Sequence, residues 1–291
     1  MKNSSFRLLI CLSLVSVYFL ACKKTDEKKF LSYKQFINPQ VGKYIIYKLD
    51  STVTLSFGAS FVVKSYLVKD TIVAKVLDNQ NRESFKVYRL QYNPATKNWD
   101  ASNTFLLTPL ETKIEYVENN LRYVKMINPV TELKSWQGNS YIGQTVFNAG
   151  NFYSTWTYYY KDVDQPRQVG TFNFANTVTI VQYDSTENRV FDPKNYSQYN
   201  KSYEIYADSV GLVYKDILSW EYQAFTIPTN CKLIRPKTGG GVDTVFVDCT
   251  LDATNCDSLR RLPNYSLSCD TIVSQFYYTG YGVKQTIVSH N

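Results

Sequence analysis

The sequence predicts an all-β fold: a single large antiparallel sheet that curves into a half-barrel or a sandwich, with few short helices. Tyr (25) and Phe (16) are abundant, whereas Met occurs twice, and aromatic residues favour strands. Apolar residues recur with period two or in short runs between turn signals, and the short connections favour antiparallel neighbours. About a dozen such strands must curl, stack or close to limit their exposed edges.

Strand candidates begin after Val41 and are separated by turn sequences such as Asn93-Pro94. The segment from Ile114 to Val124 also fits helical spacing, but its central Asn119-Asn120 favours a hairpin turn. Short helices are expected near Pro129–Trp136 and Pro193–Tyr199. The predicted strands are Lys43–Leu49, Phe61–Lys69, Thr71–Leu77, Ser84–Tyr92, Asn103–Leu107, Lys113–Glu118, Leu121–Ile127, Ser154–Val163, Thr171–Tyr183, Tyr203–Tyr206, Gly211–Ile217 and Val273–Thr279.

The first residues have the pattern of an export signal. Lys2 and Arg7 precede an apolar run over residues 8–20, which is shorter than the roughly 20 residues that span a bilayer as a helix. The run ends at Phe19-Leu20-Ala21-Cys22, which resembles the lipobox of bacterial lipoproteins, except that Phe19 stands where Leu is usual. The resemblance implies cleavage before Cys22 and its acylation, which would give a stable membrane anchor. The alternative is an ordinary cleaved signal with a coincidental Cys22.

A run of charged residues follows over 23–29. It is either a solvated tether or, because it resembles the export signal of Bacteroidota surface lipoproteins, an address for the cell surface. We therefore predict a signal peptide over 1–21, a lipidated charged tether over 22–37 and one β domain over 38–291, with a Cys-rich insertion over 229–271. The expected location is the outer membrane, on the cell surface or the periplasmic face.

Charge and histidine content exclude several function classes. Removal of residues 1–21 takes away Lys2 and Arg7 and no acid, so 30 basic and 25 acidic side chains remain, a net charge of +5. Because these charges are scattered, nucleic acid is not an expected partner. The only histidine is His290, next to a chain end that usually frays. Histidine-dependent triads and histidine metal sites are therefore not expected.

Four cysteines remain beyond Cys22, and an even number in an exported chain predicts two disulfides. The four are Cys231, Cys249, Cys256 and Cys269. Zinc is the alternative, but no C-x-x-C spacing occurs. Two segments flanking the Gly239-Gly240-Gly241 turn predict a hairpin that brings Cys231 opposite Cys249, which favours Cys231–Cys249 with Cys256–Cys269. Disulfides would order an excursion that has little core of its own.

A tripeptide of Asp, Ser or Thr, and then an aliphatic residue or Thr recurs seven times. Such residues bond to nearby backbone in turns, but the tripeptide also resembles the O-glycosylation acceptor of exported Bacteroidota proteins. Exposure at strand ends would suit both interpretations. The candidate acceptors are Ser51, Thr71, Ser185, Ser209, Thr244, Ser258 and Thr271.

Three segments carry a family resemblance. They contain G-x-Y-x-x-Y at Gly42–Tyr47, W-x-G-N at Trp136–Asn139 and Y-A-x-x-V-G-L-V at Tyr206–Val213. In this order they resemble motifs of a family of uncharacterised Bacteroidota lipoproteins, over about residues 38–222 and the last strand. The resemblance implies an exported, β-rich domain. It implies no activity, so no functional residue is transferred from it.

Aromatic residues are the remaining candidates for ligand contact. Trp136, Trp156, Tyr158 and Trp220 would form a platform for a sugar or an apolar groove, unless they belong to the core. No nucleophile motif or cofactor loop occurs, and neither a cofactor nor a metal site is predicted. The leading hypothesis is a non-catalytic lipoprotein that binds envelope glycan or protein at the membrane. The alternatives are a carrier of a hydrophobic ligand in a curved sheet and a carboxylate-based glycan hydrolase.

Overall fold

The computed structural model describes residues 30–55, 58, 60–143, 147–148, 151–152, 156–187, 197–247, 258, 261, 264 and 266–291. Within these ranges, the side chains of 147–148, 151–152, 186–187, 223–230 and 271–278 are not described. Cys22, Cys249 and Cys256 lie outside the described residues, as do the charged residues 23–29.

The part of the chain that the structure describes is nearly all β, with 73% strand and 3% helix, which confirms the predicted fold class. One short helix precedes the strands. The elements are α1 (Tyr33–Phe36), β1 (Tyr44–Leu55), β2 (Ser60–Leu77), β3 (Glu83–Asn93), β4 (Asn98–Pro109), β5 (Lys113–Glu118), β6 (Leu121–Ile127), β7 (Ser135–Gln137), β8 (Phe147–Asn148), β9 (Asn151–Phe152), β10 (Thr157–Val169), β11 (Phe172–Glu187), β12 (Ser197–Ala207), β13 (Gly211–Pro236), β14 (Val242–Val247) and β15 (Ser266–His290).

The strands form one large antiparallel sheet that curves and nearly closes. Its order is β6-β5-β4-β3-β2-β1-β15-β13-β12-β11-β10-β7, with β14 beside β13, while β8 and β9 pair separately. Two meanders, β1–β6 and β10–β13, are thus joined through the pairing of the first strand with the last. The two ends of the order also approach each other, because the Val124 N–H of β6 donates to the Gly138 carbonyl just after β7 (2.7 Å).

The predicted hairpin at Asn119-Asn120 is confirmed. Both residues have positive φ, 51° and 62°, as the tight turns that join twisted antiparallel strands require, and β5 pairs with β6 on either side of them. The predicted helix over 129–136 is wrong. That segment contains a bridge at Val130 and the strand β7. The described part of the other predicted helix, from Ser197, belongs to β12.

The folded unit begins at Leu31, within the segment that the sequence assigned to the tether. Tyr33 and Phe36 of α1 are 0% and 1% exposed. The Asn128 side-chain carbonyl accepts from the Tyr33 backbone N–H (2.9 Å), and the Tyr33 hydroxyl donates to the Leu110 carbonyl. Two buried aromatic side chains and these hydrogen bonds therefore hold the segment around α1 against the rest of the domain.

The predicted pairings of Cys231 with Cys249 and of Cys256 with Cys269 are both wrong, because Cys231 is bonded to Cys269. The hairpin around the Gly-rich turn does form, but Val247 of β14 is the residue opposite Cys231. On its other side β13 pairs with β15, where Thr229 faces Asp270 and Lys232 faces Ser268, so that Cys269 falls beside Cys231. The prediction considered only the hairpin partner of β13.

Among the described helices, none is long and apolar enough to cross a membrane.

Candidate functional site

A cavity of about 130 Å³ lies inside the curved sheet. Its walls combine residues from the first meander with residues from β12, β13 and β15, so neither half of the sheet forms it alone. A large part of the wall is apolar, from Ile45, Ile72, Val87, Phe105, Leu107 and Leu212. The volume is close to the roughly 150 Å³ of an apolar cavity that accommodates benzene.

The segment after α1 borders the cavity through Ile37, Asn38 and Pro39. A backbone hydrogen bond fixes this segment to the turn between β12 and β13, because the N–H of Ser209 in that turn donates to the Gln35 carbonyl of α1 (2.8 Å). The residues that follow α1 therefore form part of the cavity wall.

A row of polar side chains crosses the sheet at the cavity. Glu204 of β12 is directly opposite Lys215 of β13, and Lys215 is opposite Gln285 of β15. Directly opposite residues of neighbouring strands point to the same face. This register brings one acid, one base and one amide together.

Lys125 of β6 completes the cluster. Its Nζ donates to Glu204 Oε1 at 2.7 Å, the Tyr206 hydroxyl donates to Oε2 at 2.8 Å, and Lys215 Nζ lies 3.7 Å from Oε1. Lys125 and Glu204 are only 7% and 1% exposed. We call Lys125, Glu204, Tyr206, Lys215 and Gln285 the inner polar cluster.

Burial and nearby charges act in opposite directions on Glu204. Burial raises the pKa of its carboxyl. The charges of Lys125 and Lys215 and the hydrogen bonds from Lys125 and Tyr206 lower the pKa by more than burial raises it, so that it is about 2. Burial lowers the pKa of Lys125 below its usual value. At neutral pH Glu204 is ionised and fully engaged, which is not the state of a general acid.

Gln285 is the part of the inner polar cluster that has unused hydrogen-bonding capacity. It is 1% exposed and its Nε2 has no hydrogen-bond partner among the described residues, although it borders the cavity. A buried donor without a partner is destabilising by about 1–3 kcal/mol. Together with Lys215, whose contact to Glu204 is long, it presents two donors to a ligand that carries an acceptor or a negative charge.

A second ion pair borders the cavity. Arg89 donates to both carboxylate oxygens of Asp70, at 2.7 and 2.6 Å, and its guanidinium lies 4.8 Å from the centre of the Phe105 ring. This bidentate geometry satisfies the Asp70 carboxylate. Apart from Glu118, each described acid of the cavity wall thus forms an ion pair with a basic side chain. No group of three or more metal-ligating side chains occurs among the described residues.

The predicted aromatic platform is not assembled on the surface. Trp156, Tyr158 and Trp220 are 6%, 2% and 7% exposed, and Trp136 is half-buried. Trp156 stacks on Tyr183 at 5.0 Å. These rings lie in or beside the core, which is the alternative interpretation of the aromatic pattern.

The W-x-G-N segment closes the sheet. The Trp136 indole N–H donates to the Val124 carbonyl of β6 (2.8 Å), and the Tyr158 hydroxyl donates to the Asn139 side chain (2.7 Å). A Cβ on Gly138 would come within 2.3 Å of the Tyr158 ring, so only glycine fits. The motif therefore fixes β7 against β6 and β10.

The other two motifs meet at the cavity. Tyr44 and Tyr47 of the first, and Tyr206, Gly211 and Leu212 of the second, all border it. The Tyr47 hydroxyl donates to the Leu212 carbonyl at 2.9 Å. Two of the three sequence motifs therefore contribute residues to the wall of the same cavity.

The candidate glycosylation residues lie in different settings. Ser51 and Thr71 are half-buried within β1 and β2, Ser209 is exposed in a turn, and Thr271 lies in β15 where its side chain is not described. The remaining three, Ser185, Thr244 and Ser258, are exposed.

The inner polar cluster was not predicted from the sequence. Its only signal is a charged residue within a strand, such as Lys125 in Val124-Lys125-Met126, and the sequence does not show which face is enclosed. Asp162 and Asp164 of β10 have different partners: Asp162 pairs with Arg167, and the Asp164 carboxylate accepts from the Asn176 side chain.

Comparison with protein-family models, curated proteins and solved structures finds no match to this chain.

Proposed function

We propose that the protein is a non-catalytic envelope lipoprotein that holds a small amphipathic carboxylate in the cavity of its curved sheet. The single observation that supports this most strongly is the position of two donors, the buried Gln285 Nε2 and the partly buried Lys215 Nζ, beside an apolar wall. An alkyl or aryl group would contact the wall, and its carboxylate would accept from the two donors. Sites for small ligands commonly combine mostly apolar walls with a few placed polar groups.

The state of the acids favours binding over hydrolysis. A glycoside hydrolase needs one carboxylic acid that is protonated near neutral pH. Glu204 is ionised and Asp70 is held bidentately by Arg89, which leaves Glu118 as the one described acid of the cavity wall that is not held by a basic side chain. The non-catalytic carrier is therefore the form of the hypothesis that fits the cavity best.

Membrane attachment through Cys22 is part of the same proposal and is supported by the lipobox-like sequence Phe19-Leu20-Ala21-Cys22. It would place the cavity at the outer membrane. Cys22→Ser is expected to remove the lipid and to move the protein from the detergent phase to the aqueous phase in Triton X-114 partition. Unchanged partition of the variant would contradict the anchor.

The cavity is tested by calorimetric titration of the unlipidated Cys22→Ser protein with three probes. Octanoate has both chain and charge, 1-octanol has the chain alone and acetate the charge alone. We expect octanoate to bind most tightly. Gln285→Met should weaken octanoate binding by about tenfold, the value of a hydrogen bond to a charged group, without weakening 1-octanol binding or lowering stability.

A matched pair of variants locates the site. Leu107 borders the cavity, whereas Leu106 is the preceding residue on the same strand and points to the other face. Leu107→Trp should abolish octanoate binding and Leu106→Trp should preserve it, with circular dichroism confirming that both are folded. Absence of octanoate binding to the folded parent protein, or equal binding by both tryptophan variants, would refute the cavity as the site.

A further inference from the structure

A second concave site lies on the opposite face of β10, β11 and β12. Tyr160, Ile180 and Glu204 point into the core or the cavity. Side chains one residue before or after them point the other way, and they line a groove of about 320 Å³. We call it the outer groove. Its lining includes Tyr159, Lys161, Arg167, Thr179, Lys201 and Tyr203.

A bulge in β10 shapes one side of the outer groove. Lys161 is opposite Thr179 and Gln165 is opposite Thr177, so β10 has two additional residues in this interval. Asp162 there has φ 53°, and its carboxylate pairs with Arg167 at 2.6 Å. Bulges redirect side chains, and this one places an Asp–Arg pair in the groove wall.

Thr179 supplies a buried hydroxyl without a partner. It is 4% exposed, and its Oγ1 has no hydrogen-bond partner among the described residues. It borders the outer groove. Buried hydroxyls usually have partners, so this atom indicates a group that occupies the groove and exchanges a hydrogen bond with it.

The groove is cationic and aromatic. Lys161 and Lys201 have no described carboxylate within 4.0 Å, whereas Arg167 is paired with Asp162. Lys201 Nζ lies 4.7 Å from the centre of the Tyr203 ring. With Asp184 included, the ionisable groups of the groove have three positive and two negative charges, which favours an anionic ligand.

We propose that the outer groove binds an acidic saccharide, a pyranose unit that carries a carboxylate. The rings of Tyr159 and Tyr203 would contact the apolar face of the sugar. Lys161 and Lys201 would bind its carboxylate, and Thr179 would exchange a hydrogen bond with a sugar hydroxyl. The groove offers each chemical part of such a ligand a matching group, whereas a plain anion would leave the rings and the hydroxyl unused.

The test compares trigalacturonate with maltotriose, a neutral sugar of the same length, and with acetate. Calorimetric titration of the unlipidated Cys22→Ser protein should give tight binding for trigalacturonate alone. Lys201→Met should weaken it by about tenfold, since a hydrogen bond to a charged group is lost. Thr179→Val keeps the shape of the side chain and should weaken it several-fold.

The matched control is Lys86→Met. Lys86 Nζ lies 5.1 Å from the Tyr88 ring, two residues along a strand as in Lys201 and Tyr203, but outside the groove. It should leave the affinity unchanged. The proposal is overturned if folded protein does not bind trigalacturonate, if maltotriose or acetate binds equally well, or if Lys86→Met has the effect of Lys201→Met. Octanoate binding should be unaffected by Lys201→Met, which separates this site from the inner cavity.

Discussion

At the residue scale, Glu204 shows how a buried charge is kept in this protein. Lys125, Lys215 and Tyr206 surround it, and their combined effect lowers its pKa from 4.5 to about 2. A carboxyl whose pKa is lower in the folded than in the unfolded state stabilises the fold above the unfolded pKa. That contribution is lost as the pH falls through the folded pKa.

We therefore predict that the protein loses stability between pH 4.5 and about 2, by on the order of 3 kcal/mol from Glu204. Glu204→Gln should lower the free energy of unfolding at pH 7 by about 3–5 kcal/mol, because Lys125 is left buried and unpaired. It should also flatten the acid limb. Urea denaturation at pH 7 and pH 3 measures both effects.

Glu83→Gln is the control, because Glu83 pairs with Lys75 at 3.0 Å with 62% of its side chain exposed. Exposed ion pairs contribute little. If Glu204→Gln is as mild as Glu83→Gln, then Glu204 does not hold the inner polar cluster together.

At the element scale, β13 is the strand whose length and neighbours were predicted least accurately from the sequence. Its predicted end was Ile217, yet the strand runs from Gly211 to Pro236 and contacts β12, β15 and β14 in turn. The Gly239-Gly240-Gly241 turn marked the short β13–β14 hairpin correctly, since turn chemistry is local. The partner of Cys231 depended on the second neighbour of β13, about 40 residues away, which local sequence does not specify.

The corrected pairing makes a prediction for this element. Non-reducing peptide mapping should recover Cys231 linked to Cys269, which leaves Cys249 and Cys256 for the second disulfide. Because the bond closes a loop with a sequence separation of 38, replacing Cys231 and Cys269 by Ala should lower the free energy of unfolding by about 3–4 kcal/mol. Recovery of a Cys231–Cys249 peptide would contradict the structure.

At the scale of the whole molecule, the fold class was predictable and the site was not. Alternating apolar residues and turn residues such as Asn119-Asn120 specify strands and hairpins because both effects act between near neighbours. The cavity instead depends on curvature, which brings Lys125 of β6 to Glu204 of β12, 79 residues later. The aromatic residues were the candidates for ligand contact in the sequence, yet polar and charged residues within strands form the inner polar cluster.

The pairing of β1 with β15 also has a consequence in time. Tyr47 of the first strand acquires its neighbour Ile287 only when the last residues of the chain are available. Contacts between residues so distant in sequence slow folding, since the chain must close a long loop before they form. Because Gln285 of β15 forms part of its wall, the cavity is complete only once this strand has paired, and a ligand held inside it must bind after that step.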